Sequence, residues 1–178
     1  HERSTRVLDN GKLVISNIGS GHLLEVPLVF ALYDYYDQLA MDDSSSALMY
    51  EVSNNALMFS IKSVRPDKGI YNLTGVKLTF FPGQSTSVKF ISNALDAQRN
   101  LILSFRNCTN GEFINKRYEC EKCPSGYMQL NPQPSETDKC IPCVSKVQCL
   151  GGNNLVLERG YWRFNNTADI LLKCALED

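Results

Sequence analysis

The first cysteine of this chain is residue 108, and six more follow it: Cys120, Cys123, Cys140, Cys143, Cys149 and Cys174. The longer part of the 178-residue chain, ahead of Cys108, contains none. A break of that kind separates two folding problems. The cysteine-free part has to hold itself together by burying apolar side chains. The part crowded with Cys, Pro, Gly and Asn has too few large apolar residues for that and is expected to rely on covalent cross-links. Two domains are therefore predicted, residues 1–106 and residues 107–178.

Charge narrows the function classes. Residues 1–107 carry 10 basic and 10 acidic side chains, residues 108–178 carry 8 and 9, and the whole chain has a formal net charge of −1. Neither part offers a basic surface for nucleic acid or an anionic membrane. No window reaches the roughly 18–20 apolar residues of a membrane helix; the richest, Leu23 to Leu32, is interrupted by Glu25 and Pro27. Three acceptor triplets for N-glycosylation are present, at Asn72-Leu73-Thr74, Asn107-Cys108-Thr109 and Asn165-Asn166-Thr167. Together with the cysteines they predict a secreted or cell-surface glycoprotein. There is no initiator Met or signal-peptide pattern. The cysteine count is odd, and the chain stops abruptly after Lys173-Cys174. The expectation is a segment of a longer polypeptide, with Cys174 bonded to a cysteine outside it.

Residues 1–106 read as β. Arg6-Val7-Leu8 and Lys12 to Ile15 flank Asn10-Gly11, a dipeptide suited to a tight hairpin turn. Further runs are Leu23 to Tyr33, with Pro27 marking an edge or bulge, then Leu48 to Val52, Leu57 to Val64, Gly69 to Leu73, Val76 to Phe80, Val88 to Ile91 and Leu101 to Phe105. Turn signals about every 8–12 residues suit a β-sandwich, which needs about 100 residues. The prediction is an Ig-like antiparallel β-sandwich of seven to nine strands in two sheets, followed by a small disulfide-rich module.

Two metal signals have to be weighed. Asp34, Asp37, Asp42 and Asp43 fall between two predicted strands, and oxygen-rich loops at sandwich ends can hold calcium. Asp and Ser also build turns through their own backbone, and no EF-hand spacing is present, so turn chemistry is the expected role. Cys120 to Cys143 has the spacing C-x2-C-x16-C-x2-C of a zinc ribbon. Against zinc, Cys108, Cys149 and Cys174 would be spare thiols, the glycosylation triplets point to an oxidising compartment, and Pro124 and Pro142 supply no N–H to sulfur. An intracellular zinc-ribbon-like interaction module remains the alternative, and no metal or other cofactor is expected.

Cys123-Pro124-Ser125-Gly126-Tyr127, with Cys140-Ile141-Pro142-Cys143 after it, resembles the C-P-x-G-x-Y…C-x-x-C pattern of tumour-necrosis-factor-receptor repeats and related EGF-like ectodomain repeats. In such modules the first Cys of C-P-x-G closes on the Cys at the end of its loop. The resemblance implies Cys123–Cys140, with Cys108–Cys120 before it and Cys143–Cys149 after it; spacing alone leaves the pairing open. Cys149-Leu150-Gly151-Gly152-Asn153 and Gly160-Tyr161-Trp162-Arg163 follow. Tyr161, Trp162 and Arg163 are a candidate binding cluster, although a small stapled module also needs a large apolar anchor, and Trp162 is expected to be it. These motifs, with Leu32-Tyr33-Asp34-Tyr35-Tyr36-Asp37-Gln38 and Gly69-Ile70-Tyr71…Pro82-Gly83, are similar to those of large cysteine-rich surface proteins of ciliated protozoa. The similarity covers nearly the whole chain. It implies a long, often membrane-anchored ectodomain whose partners are other segments of the same polypeptide, other surface glycoproteins or copies of itself.

Catalytic signatures are sparse. There is no G-x-S-x-G elbow, P-loop or H-E-x-x-H. Gly19-Ser20-Gly21 lacks the rest of a dinucleotide fingerprint, and His1 and His22 are the two histidines. The C-x-x-C pairs lack the α/β setting in which a helix N-terminus activates a thiol. A non-catalytic segment is expected, serving as spacer, coat, filament unit or adhesive surface. A ligand-binding receptor ectodomain is the alternative.

Overall fold

The computed structural model describes residues 5–9, 12–94, 98–165, 167–168 and 170–175. The chain divides into two compact units, residues 1–106 and 107–178. Both are built from strands and turns, and no helix occurs among the described residues. None is therefore long and apolar enough to cross a membrane.

The first unit contains β1 (Thr5–Asp9), β2 (Lys12–Ile18), β3 (His22–Leu23), β4 (Val29–Ala31), β5 (Leu48–Val52), β6 (Met58–Phe59), β7 (Ser63–Val64), β8 (Ile70–Asn72), β9 (Lys77–Thr79), β10 (Ser85–Ser92) and β11 (Gln98–Phe105). These form a six-stranded sheet in the order β1-β2-β11-β10-β5-β7, a three-stranded sheet β3-β9-β6 and a β4-β8 pair. Alternation decides which side chains enter the core. Thr86, Val88 and Phe90 of β10 are buried between exposed or half-exposed neighbours, as are Leu101, Leu103 and Phe105 of β11. They join Ile15, Leu28, Tyr71, Leu78 and Phe80 in one cluster that draws on all three sheets.

The strand pattern departs from the sequence expectation in three places. The sheet is not wholly antiparallel, because β2 lies parallel to β11, with Leu13 opposite Leu101 and Ile15 opposite Leu103. A parallel pair needs a long crossover, and the 79 residues between these strands supply it; the pairing puts Ile15 and Leu103 on one buried face. The register then slips by one residue, so that Phe105 faces Ile18. Asn17, at φ 61°, takes up the extra residue as a bulge. Ile15 and Ile18 are consequently both buried although three residues apart. Finally, the run from Leu23 to Tyr33 is not one strand. It breaks around Pro27, and its halves pair in different sheets, β3 with β9 and β4 with β8. The strands are thus more numerous and shorter than the runs suggest. β1 and β2 pair antiparallel with Asp9 opposite Lys12; Asn10-Gly11 lies outside the described residues.

Among the described residues the second unit is a series of four two-stranded antiparallel hairpins: β12 (Glu112–Ile114) with β13 (Cys120–Lys122), β14 (Tyr127–Met128) with β15 (Ile141–Pro142), β16 (Val147–Cys149) with β17 (Leu155–Leu157), and β18 (Tyr161–Trp162) with β19 (Leu172–Lys173). Among the described residues its buried apolar side chains are Cys108, Cys120, Cys123, Met128, Pro134 and Cys149, so sulfur does here most of what aliphatic side chains do in the first unit.

Candidate functional site

Three disulfides clamp the hairpins: Cys108–Cys120, Cys123–Cys140 and Cys143–Cys149, with sequence separations of 12, 17 and 6 residues. This is the set implied by the likeness to receptor-type modules. Each closed loop removes conformational freedom from the unfolded chain and is worth about 2–4 kcal/mol. All four sulfurs of the zinc-ribbon spacing are consumed in these bonds, so none is left as a thiolate ligand. Cys108, Glu112 and Cys120 do converge within 4.8 Å. Two of the three are the halves of one disulfide, and the Glu112 carboxylate accepts hydrogen bonds from the N–H and hydroxyl of Thr109. Cys174 is unpaired and half-buried. Three staples in a small all-β unit fit an oxidising compartment.

The backbone around the staples is held by glycine. Gly111 stands at φ 82°, where a Cβ would come within 2.2 Å of the Asn153 nitrogen and 2.4 Å of the Gly152 carbonyl carbon. The Gly151-Gly152 turn donates from the Gly152 N–H to the Cys123 carbonyl at 2.8 Å. The C-x-G-G-N motif is therefore a backbone plug seated against the first hairpin.

A groove of about 700 Å³ opens beside the second staple, lined by Phe113, Ile114, Tyr118, Pro124, Tyr127 and Cys140, with Lys116, Glu136 and Lys139 at its polar positions. Aromatic walls with a few charged groups are the usual makeup of a binding cleft. Tyr118 is held at φ 62° by a turn in which its N–H donates to the Asn115 carbonyl, while the Asn115 side chain receives the N–H groups of Arg117 and Glu119. A left-handed conformation at a bulky residue costs roughly 1–2 kcal/mol. Glycine would avoid that cost but would remove a wall of the groove. Sequence reasoning missed this site, because Tyr118 and Tyr127 come together only when two hairpins lie side by side.

The predicted binding cluster is not brought together. Tyr161 and Trp162 are consecutive in β18 and so point to opposite faces. Tyr161 is half-buried under Lys146, whose Nζ lies 5.9 Å from the ring centroid and 3.0 Å from Glu158. Trp162 is opposite Leu172 on the other face, and Arg163 is half-buried beyond the strand. The expectation that Trp162 anchors the core is also overturned: it is 45% exposed, and sulfur and Met128 fill the interior instead.

The acidic turn does what turn chemistry requires. Asp34 accepts from the N–H groups of Tyr36 and Gln38, and Asp43 from the N–H groups and hydroxyls of Ser45 and Ser46. Among the described residues, no three of Asp34, Asp37, Asp42 and Asp43 converge as metal ligands. Ser20 of Gly19-Ser20-Gly21 is fully buried and hydrogen-bonded to the Phe80 backbone. His22 pairs opposite Leu78, and His1 lies outside the described residues. Asn72, Asn107 and Asn165 are all exposed. Asn72 and Asn165 each accept the N–H of the threonine in their own triplet; Asn107 is followed directly by the buried, bonded Cys108. Comparison with family models, curated proteins and solved structures returns no match to this chain.

Proposed function

We propose that this chain is a non-catalytic structural or adhesive segment of a large extracellular or cell-surface glycoprotein, of the kind it resembles in ciliated protozoa. In this reading an Ig-like sandwich precedes an EGF/TNF-receptor-like module, and the two act as a protease-resistant spacer, coat or filament unit. The observation that carries it is the substitution of three staples for an apolar core in residues 107–178, alongside three exposed acceptor asparagines. A segment built this way keeps its shape outside the cell without a large interior. The test is limited proteolysis of the protein recovered from its native surface, with thiol and glycan analysis. The expected result is a resistant 107–178 region that becomes labile on reduction, with sugar on Asn72 or Asn165. Free thiols throughout, absence of sugar and rapid cleavage of the unreduced chain together overturn the reading.

The groove supports a second reading, a ligand-binding ectodomain. Its specific support is Tyr118, held in an unfavourable backbone conformation at the groove wall, since strain retained at a concave surface is characteristic of functional sites. Loss of binding to the native surface partner on Tyr127→Ala, with the staples intact, is the expected result; unchanged binding removes the groove from consideration.

A further inference from the structure

The second unit repeats one backbone device four times, and the device assigns a position to Cys174. Each hairpin is entered through a residue with positive φ: Gly111 at 82°, Gly126 at 84°, Lys146 at 72° and Gly160 at 87°. The N–H of the next residue closes a turn onto the carbonyl three residues back, from Glu112 to Thr109, Tyr127 to Pro124, Val147 to Val144 and Tyr161 to Glu158. The carbonyl of the positive-φ residue then receives the end of the returning strand. Its donors are the N–H groups of Cys123, Cys143, Glu158 and Cys174, at 2.9, 2.9, 2.9 and 2.8 Å.

Cysteines occupy fixed places in this device. Three residues ahead of each positive-φ residue stand Cys108, Cys123, Cys143 and Leu157. The three cysteines among them each begin a staple, with partners 12, 17 and 6 residues further on. Cys123 and Cys143 therefore have two duties: each closes one hairpin through its N–H and opens the staple of the next through its sulfur. The fourth hairpin is opened by Leu157, and no cysteine lies between 157 and 174 to staple it. Cys174 closes that hairpin as Cys123 and Cys143 close theirs.

We infer that Cys174 opens the staple of a fifth hairpin, bonded to a cysteine 6 to 17 residues further along the same polypeptide, the span set by the three staples present. Two independent features of the fourth hairpin fit a neighbour stacked on it. Consecutive hairpins are joined by a hydrogen bond from the Gly111 N–H to the Gln129 carbonyl and from the Gly126 N–H to the Cys149 carbonyl. Each acceptor is the third residue after the positive-φ residue that enters the next hairpin, Gly126 and Lys146 respectively. The Gly160 N–H has no acceptor among the described residues. The Lys146 N–H has none either, where the hairpin that follows carries no staple. Trp162, two residues after Gly160, stands where Met128 stands after Gly126, yet it is 45% exposed against 2% for Met128. A fifth hairpin gives Gly160 its acceptor and covers Trp162.

The bond forms by thiol–disulfide exchange. One thiol loses its proton and attacks the disulfide of a dithiol/disulfide oxidoreductase, giving a mixed disulfide. The second thiolate displaces that enzyme, which leaves as the dithiol carrying both electrons. The inference rests on the oxidising compartment proposed above. Non-reducing peptide mapping of the intact native polypeptide, alkylated before digestion, separates the two. Cys174 joined to a cysteine 6 to 17 residues downstream supports the inference. Cys174 alkylated while the other three staples map intact overturns it alone, as does Cys174 joined to another copy, to a distant cysteine or to one of the other six. Alkylation of all seven cysteines overturns the compartment as well. Cys174→Ser in the same polypeptide is expected to add one alkylatable thiol, at the orphaned partner; no new thiol refutes the pairing. If that variant fails to accumulate, stepwise reduction of the wild type is expected to release the Cys174 thiol and its downstream partner together, and separate release refutes it.

Discussion

Ser20 and Phe80 clasp each other through a single hydroxyl: Ser20 Oγ donates to the Phe80 carbonyl at 2.6 Å and accepts from the Phe80 N–H at 3.1 Å. Both residues are buried, and the contact spans sixty positions of sequence. Ser20→Ala leaves the Phe80 N–H without this acceptor inside the core, a loss of about 1–3 kcal/mol. Denaturant unfolding of residues 1–106 is expected to shift to a lower midpoint with an unchanged slope. An unchanged midpoint means that the clasp contributes nothing.

Asp43 links the acidic turn to the core. Its carboxylate receives Ser46, whose hydroxyl meets the buried Tyr71 hydroxyl at 2.6 Å. The Ser46 hydroxyl and then the Ser46 N–H hold the Asp43 pKa below its ordinary 3.8. A depressed pKa favours the folded state above the unfolded value, and that stabilisation is lost as pH falls through the folded value, in the window below about pH 4. Asp43→Asn is expected to lower stability at neutral pH and to flatten its acid dependence below pH 4. A variant with the wild-type acid profile places the titration elsewhere.

Gly111 and Gly126 have nearly the same φ but different surroundings. A Cβ on Gly126 meets nothing within 4 Å, whereas one on Gly111 runs into the Asn153 backbone. Gly126→Ala should cost only the left-handed penalty, roughly 1–2 kcal/mol. Gly111→Ala should cost distinctly more and yield mispaired disulfides, read by non-reducing mass mapping. Equal effects would show that backbone conformation alone matters at both sites.

Tyr118 offers the reverse case. Tyr118→Gly relieves a left-handed residue and is expected to raise the thermal midpoint of residues 107–178, by up to about 1–2 kcal/mol of stability. The same change removes a groove wall, so partner binding should fall as stability rises. A fall in both indicates that the ring holds the hairpin together.

Much of this protein was legible in the sequence because it depends on local chemistry. The turn residues, the period-two runs of β10 and β11 and the restriction of cysteine to one region specify an all-β chain whose second part is cross-linked. The roles of Asp34 and Asp43 also follow from their immediate neighbours, since a short carboxylate binds the backbone within a few residues of itself. Tertiary structure decided the rest, and each case turns on contacts far apart in the chain. Strand β2 had an edge of β11 to join, and nothing in Leu13 to Ile18 specifies a parallel partner. A one-residue bulge at Asn17 re-aimed Ile18 into the core against the local alternation. Trp162 has the side chain of a core anchor, but the sulfurs and Met128 occupy the interior, and β18 points its indole outward. Burial is a property of what packs against a residue, and in a stapled module that is set by the order of the cross-linked hairpins rather than by the hydrophobicity of any one side chain.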